Sequence, residues 1–265
     1  MTARKIFADL LRGYREQAGW TREQAAPRLN LSESSLEKME RGERKPQLHH
    51  PPVFDEVFGT PKVFARVYED VVAEPYPAFF GPNVIYENKA VSITNFEMRA
   101  IPGLFQTREY ARATFRAYKP YATTEAIEAD VDARMDRQEI LIREKPPRLW
   151  SVISEGALHL VVGSVGTTGA QLDHLLAVCD MPNVVLQVLP FNAPDAPVHN
   201  GPAVLFEFED EPPVCYLDGW GSGRVADDPR EVAELSMALK MISGCALSPS
   251  GTRARIAEIR KEMTS

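Results

Sequence analysis

Residues 21–42 read TREQAAPRLNLSESSLEKMERG, and this stretch decides how the N-terminal part of the chain folds. Thr21-Arg22-Glu23-Gln24 has the spacing of a capping box, in which the Thr21 hydroxyl accepts the Gln24 N–H and the Gln24 side chain reaches back to the Thr21 N–H. A helix therefore opens at Thr21. Asn30 tolerates the left-handed backbone of a tight turn, Ser32 is placed to cap a following helix, and Gly42 stops it. Ala25 and Ala26 are small enough for two helices to cross closely. Leu29, Leu31, Leu36 and Met39 recur as an inward face. That leaves Glu33, Ser34, Glu37 and Lys38 on the outward face of the second of these helices. Pro27 falls inside the first, where it removes a backbone hydrogen bond.

Outward from this pair, Ile6, Leu10, Leu11, Tyr14 and Ala18 recur at helical spacing, and Gly19 ends that helix. On the other side, His49-His50-Pro51-Pro52 reads as a break, followed by short helices at about 53–58 and 61–72. Ala73-Glu74-Pro75-Tyr76-Pro77 reads as a linker, giving an all-α domain over 1–72 and a second domain over 78–265. Residues 1–48 carry ten Lys/Arg against seven Asp/Glu, whereas the 265-residue chain has a net charge of −7. A basic head on an acidic body predicts that only the head meets a polyanion.

The run 21–42 resembles the helix-turn-helix of repressor-type regulators of the Cro/C1 or XRE family. The resemblance rests on the opening TREQ, on Ala26, on Leu31-Ser32, on Leu36 and Met39, and on the ending Glu40-Arg41-Gly42. It implies that the N-terminal part of the third helix enters the major groove of double-stranded DNA. Ser32, Glu33, Ser34, Glu37 and Lys38 would then meet base edges, a glutamate by accepting from a cytosine amino group. Arg22, Arg41 and Arg44 stand at helix ends, where phosphates are met. A homodimer would set two such helices about 34 Å apart, one duplex turn. Pro27 and the two glutamates of the reading face weigh against strong binding.

From about residue 78 the pattern changes to a mixed α+β domain. Val84–Tyr86, Val91–Met98, Leu149–Ile153, Val184–Leu189, Val204–Phe208 and Val214–Leu217 have strand character, the last two as a pair. Thr107–Arg116, Thr124–Glu144, Gly169–Cys179, Pro229–Ile242 and Pro249–Glu262 read as helices. The segments Ile101–Thr107 with Tyr110-Ala111-Arg112, Arg134–Leu141, Arg148–Trp150 with Ser154–Leu158, Pro182–Phe191 and Val214–Leu217 are together similar to the C-terminal domain of WhiJ-like actinobacterial (Streptomyces-type) regulators. That domain has no known function. The resemblance implies antitoxin-like regulation and a small partner protein encoded nearby.

Few residues of the body suggest chemistry. His159 and His174 lie fifteen apart without an HExxH or a Cys pair, so neither a metal site nor a cofactor is expected. The glycines of Gly163–Gly169 lack the Gly-Lys-Ser/Thr ending of a phosphate loop, and Gly219, Gly221 and Gly223 fall short of a dinucleotide fingerprint. Cys179, Cys215 and Cys245 form no framework of disulfides or metal ligands, which fits a reduced cytoplasmic protein. No stretch approaches the ~18 apolar residues of a membrane span. The turn at Pro102-Gly103 would present Gln106, Thr107 and Tyr110 at the mouth of a cleft for a partner or small-molecule effector. Glu155, beside a strand end, is either a polar pocket group or a helix cap. The leading expectation is a non-enzymatic transcriptional regulator that receives a signal through its C-terminal domain. The alternative is an antitoxin-like protein that sequesters a small partner, with DNA binding secondary.

Overall fold

In the computed structural model, residues 2–197 and 201–263 are described, and the chain divides into two compact units, 1–89 and 90–265. The first unit is helical throughout. Helix α1 (Ala3–Gln17) starts at Thr2, whose side chain accepts from the Lys5 N–H. Helix α2 (Arg22–Arg28) carries the complete capping box between Thr21 and Gln24. Asn30 takes a left-handed backbone with φ of 55°, and Ser32 caps α3 (Glu33–Glu40) by accepting from Ser35 N–H. Gly42, at φ of 73°, lets the chain leave α3 in a conformation that side chains resist.

Helices α4 (His50–Phe58), α5 (Val63–Ala73) and α6 (Gly81–Lys89) complete the unit. Pro51 and Pro52 do not break α4 but stand in its first turn, where the missing N–H has no helical partner to lose. Helix α5 has no side-chain cap of its own, because Lys62 precedes it in a left-handed conformation. The buried Asp55 of α4 supplies one instead, accepting from the Phe64 and Ala65 N–H groups at 3.0 Å each. Phe7, Phe54 and Phe64 meet edge to face at the centre, with the Phe7–Phe64 and Phe54–Phe64 centroids 5.6 Å apart. Leu11, Ala25, Leu29, Leu36 and Met39 surround them.

Two sequence expectations change here. Val84–Tyr86 is helix, not strand: Gly81, Val84 and the neighbouring Asn83 and Glu87 are buried at helical spacing, so packing overrides the β-branched run. The tract 73–77 is a turn between α5 and α6, and Glu74 within it accepts the Ala3 N–H at the start of α1. The boundary by packing therefore lies at Lys89/Ala90, and residues 78–89 go with the head.

The second unit is built on one six-stranded sheet. Its strands are β1 (Ser92–Glu97), β2 (Arg148–Ser154), β3 (Val184–Leu189), β4 (Ala203–Glu207), β5 (Val214–Gly219) and β6 (Ser222–Ala226). The spatial order is β3-β2-β1-β4-β5-β6, parallel among the first three and antiparallel from β1 to β6. Glycines 219 and 221 belong to the tight β5–β6 hairpin, in which Gly221 has φ of 63°.

A short 3-10 turn at Gly103–Phe105 leads into α7 (Arg108–Tyr118). Helix α8 (Thr124–Arg137) ends earlier than the sequence suggests and continues as a 3-10 turn to Leu141. Helices α9 (Glu155–His159), α10 (Val165–Val178), α11 (Pro229–Cys245) and α12 (Pro249–Glu262) follow. Val232, Leu239 and Ile242 of α11 pack on Phe96, Val152, Leu205 and Cys215, the alternate residues of four strands.

Candidate nucleic-acid interface

The outward face of α3 is the candidate site. Leu36 and Met39 are buried, which fixes the rotation of this two-turn helix and turns Glu33, Ser34 and Lys38 to solvent. Ser32 is exposed but occupied as the cap, with its hydroxyl also bonded to Ser35 Oγ at 2.8 Å. Arg44 reaches the same Ser35 Oγ at 2.8 Å, so its exposed guanidinium is held beside the first turn of α3. The sequence marks Ser35 only by the Ser32–Ser35 spacing of a cap, which carries no information about Arg44.

The remaining residues expected at DNA have partners within the unit. Arg41 pairs with Glu37 at 3.7 Å and with Glu43 at 2.6 Å. The hydrogen bond to Glu43, then its charge, raises the Arg41 pKa. Arg22 gives its Nε to Glu40 Oε2 at 2.8 Å.

Glu40 lies under the site, 2% exposed, and also receives Arg15 Nε on its other oxygen at 2.5 Å. Arg15 is itself buried and donates further to the Trp20 carbonyl at 2.9 Å. Its hydrogen bond to Glu40 raises its pKa against the effect of burial. One carboxylate thus ties α1 and the start of α2 to the end of α3. Sequence reading placed Glu40 only as part of an ending motif, because burial of an acid is not visible without its partners.

In the second unit the expected cleft residues lie elsewhere than expected. Gln106 is 3% exposed and Tyr110 1%, so neither stands at a mouth. Gln106 donates to the Ile101 carbonyl and accepts from Arg134 Nη1 at 2.6 Å. Burial pushes the Tyr110 hydroxyl up to about 12, opposed by a hydrogen bond with the Ile101 backbone. Thr107 caps α7, and its N–H donates to Gln171 Oε1 at 2.7 Å. The turn therefore folds inward, because its amide groups are needed to satisfy backbone that no strand or helix satisfies.

Glu155 is buried at the first position of α9 and holds two distant segments. It accepts Phe191 N–H at 2.9 Å and Arg255 Nε at 2.7 Å. Burial opposes its ionisation, but the Phe191 and Arg255 bonds prevail and lower its pKa. Among the described residues no group of three or more His, Cys, Asp or Glu side chains is gathered as for a metal ion, and no helix is long and apolar enough to cross a membrane.

The first unit is thus a helix-turn-helix domain, joined in one chain to an α+β body. Residues 6–63 match the model of a helix-turn-helix domain (HTH_31), and residues 81–258 match that of a domain of unknown function, DUF5753. The chain belongs to the DUF5753 family, whose model covers more than half of it. No curated protein and no solved structure matches it. The helix-turn-helix places the protein among DNA-binding regulators of transcription.

Proposed function

We propose that the protein is a cytoplasmic, homodimeric transcriptional regulator that binds a two-part operator and receives a signal, without catalysis, through residues 90–265. The observation that carries this reading is the presentation of Glu33, Ser34 and Lys38 on one exposed helix, with the Arg44 cation fixed beside them. Such a surface combines base-reading groups with a phosphate contact. The body supports the signalling half by its extent and by the acidic balance outside the head, which makes it unsuited to a second DNA contact.

Electrophoretic mobility shift of the protein's own promoter DNA at low salt tests the reading. Arg44→Ala should weaken binding to all sequences by a similar factor and flatten the salt dependence. No shift by the protein at any salt concentration would overturn it.

One observation favours a second reading, in which a small partner protein is the main ligand and the helix-turn-helix serves chiefly autoregulation. Arg22 and Arg41 are both paired with carboxylates, so two of the three arginines at the helix ends must exchange partners to meet phosphate. Co-purification of a small protein encoded by a neighbouring gene, together with weak operator binding, would favour this second reading.

A further inference from the structure

The sheet face turned away from α11 carries a polar tract that DNA binding does not use. Strand alternation puts Ile93, Asn95 and Glu97 of β1 on this face. Asn95 pairs with Ser151 of β2 on one side and, through Val204 of β4, lines up with Tyr216 of β5 on the other. Continued one position beyond Phe96–Ala203–Leu217, the register brings Glu97 in line with Asp218, close enough for the two carboxylates to repel. Ser151 is 0% exposed and Asn95 8%, and among the described residues Asn95 Oδ1 and Ser151 Oγ are enclosed oxygens with no hydrogen-bond partner. Two orphaned oxygens on adjacent strands mark a place that lacks a donor.

Charge at the rim points the same way. Glu97 and Asp218 are partly covered residues at the end of the row, and the Glu97 carboxyl itself is enclosed. Burial, with repulsion from Asp218, pushes the Glu97 carboxyl up to about 8, although Arg137 and Arg134 of α8 pull it down. Burial also raises Asp218, against a bond from the Gly219 backbone and the charge of Arg137. The adjacent Tyr216 hydroxyl is raised by burial and by Asp218. The two arginines are engaged nearby. Arg134 holds Gln106 and stacks over Phe115 at 4.2 Å. Arg137 lies against Gly103, its Nη2 2.8 Å from the position a Cβ would take. The row also sits where β1 has a parallel neighbour on one side and an antiparallel one on the other, at the carboxyl end of a parallel strand. Strand order also reverses there, with β2 and β3 to one side of β1 and β4 to the other, and open α/β sheets bind ligands beyond the carboxyl ends of strands at such reversals.

We propose that this tract binds a small cationic effector bearing a primary ammonium group, with Glu97 and Asp218 as counter-charges and Asn95 Oδ1 and Ser151 Oγ as neutral acceptors. An ammonium offers three donors and no acceptor, matching a site rich in orphaned oxygens. The neighbouring guanidinium groups disfavour a divalent metal ion there, since its higher charge meets stronger repulsion. The proposal names the effector of the signal-receiving body and rests on that reading only for its consequence at DNA. A bound ammonium takes the place of the proton that Glu97 holds near neutral pH. Binding therefore releases a proton and tightens as pH rises, levelling off above the Glu97 value of about 8.

The test is titration of the full-length protein with n-butylammonium, followed by the Asn95 side-chain amide in nitrogen-15 NMR spectra and by calorimetry in two buffers of different ionisation enthalpy. The expected result is a saturable shift of the Asn95 signal with proton release, and an affinity that rises about tenfold per pH unit up to about pH 8. Glu97→Gln should weaken binding at least about tenfold and remove its pH dependence. Ser151→Ala, which only deletes an orphaned oxygen, should weaken it less and leave the fold intact. No saturable shift, undiminished binding by folded Glu97→Gln, or occupation of the tract by calcium or phosphate instead would overturn the proposal. Promoter DNA binding is read separately with and without n-butylammonium. Saturation at Asn95 with unchanged DNA affinity would keep the site and overturn signal reception. A DNA response without any Asn95 shift would overturn the site.

Discussion

Glu40 is where a single side chain has the largest reach in the head. It is buried between Arg15 and Arg22, and these two ion pairs differ in environment. The Arg15 side chain is 10% exposed and that of Arg22 39%, so solvent screens the second pair much more than the first. Glu40→Ala leaves the Arg15 guanidinium buried without its main partner, and should cost about 3–5 kcal/mol in chemical denaturation. His50 gives the head a pH dependence. Burial, then the nearby His49 and Arg44 charges, lowers its pKa from 6.5 to about 4. The unfolded chain thus binds the proton first, so this contribution is fully present above pH 6.5 and is lost as pH falls toward 4. Melting temperature should fall through that window, and a variant His50→Asn should show a flatter profile. At the reading face, Glu33→Gln removes a negative charge from the groove and adds a donor. It should tighten non-specific DNA binding and change discrimination at one base pair by ~1–3 kcal/mol, measured by site selection. An unchanged selected site would remove Glu33 from the reading role.

At the scale of the element, the short helices depend on their ends. α2 has seven residues, too few to persist by propensity alone, and it owes its start to Thr21 and Gln24. Thr21→Ala should destabilise the head by about 1 kcal/mol. Pro27 stands near the other end, exposed, and α2 closes one residue beyond it. Its missing N–H affects a helix about to terminate, and Glu23, four residues back, is an exposed residue. Pro27→Ala should therefore stabilise by only about 1 kcal/mol, well under the ~3 kcal/mol of a helix interior. A gain of the full interior size would mean that Pro27 strains the turn as well. Helix α5 reverses the pattern: Asp55→Ala should cost more than Thr21→Ala, because three donors, from Thr60, Phe64 and Ala65, would lose a buried acceptor.

For the whole molecule, only Ala90 and Val91 separate the end of α6 from the start of β1. Ala90 is fully buried, and the Val91 N–H donates to the Glu207 carbonyl at 2.9 Å, so the chain enters the sheet directly after α6. The expected cut at 73–77 is also disfavoured by the bond from Ala3 to Glu74. The exposed β4–β5 connection at Glu209–Glu211 should be cleaved first by a glutamate-specific protease, as mass spectrometry of early digests will show. First cleavage within 73–77 by a protease of broad specificity would contradict this. Residues 1–89 carry thirteen Lys/Arg and thirteen Asp/Glu, so attraction to DNA rests on the local surplus of residues 1–48 and not on the net charge of the head.

The sequence by itself determined the helix-turn-helix, because its signals are local. A cap box, a left-handed asparagine and a stopping glycine each act within four residues of themselves, and the inward Leu36 and Met39 fix the outward face. It also placed most strands and helices of the body, whose apolar runs are bounded by turns. The tertiary structure alone decided the rest, because those questions concern partners distant in sequence. The order β3-β2-β1-β4-β5-β6 depends on pairing across the whole body. The inward turn of Gln106 and Tyr110 depends on Arg134 and Gln171, and the helical state of Val84–Tyr86 on packing against α5. The burial of Glu40 and the alignment of Asn95 with Ser151 follow from the same cause: a polar side chain acquires its role from what encloses it, and enclosure is not written in the neighbouring residues.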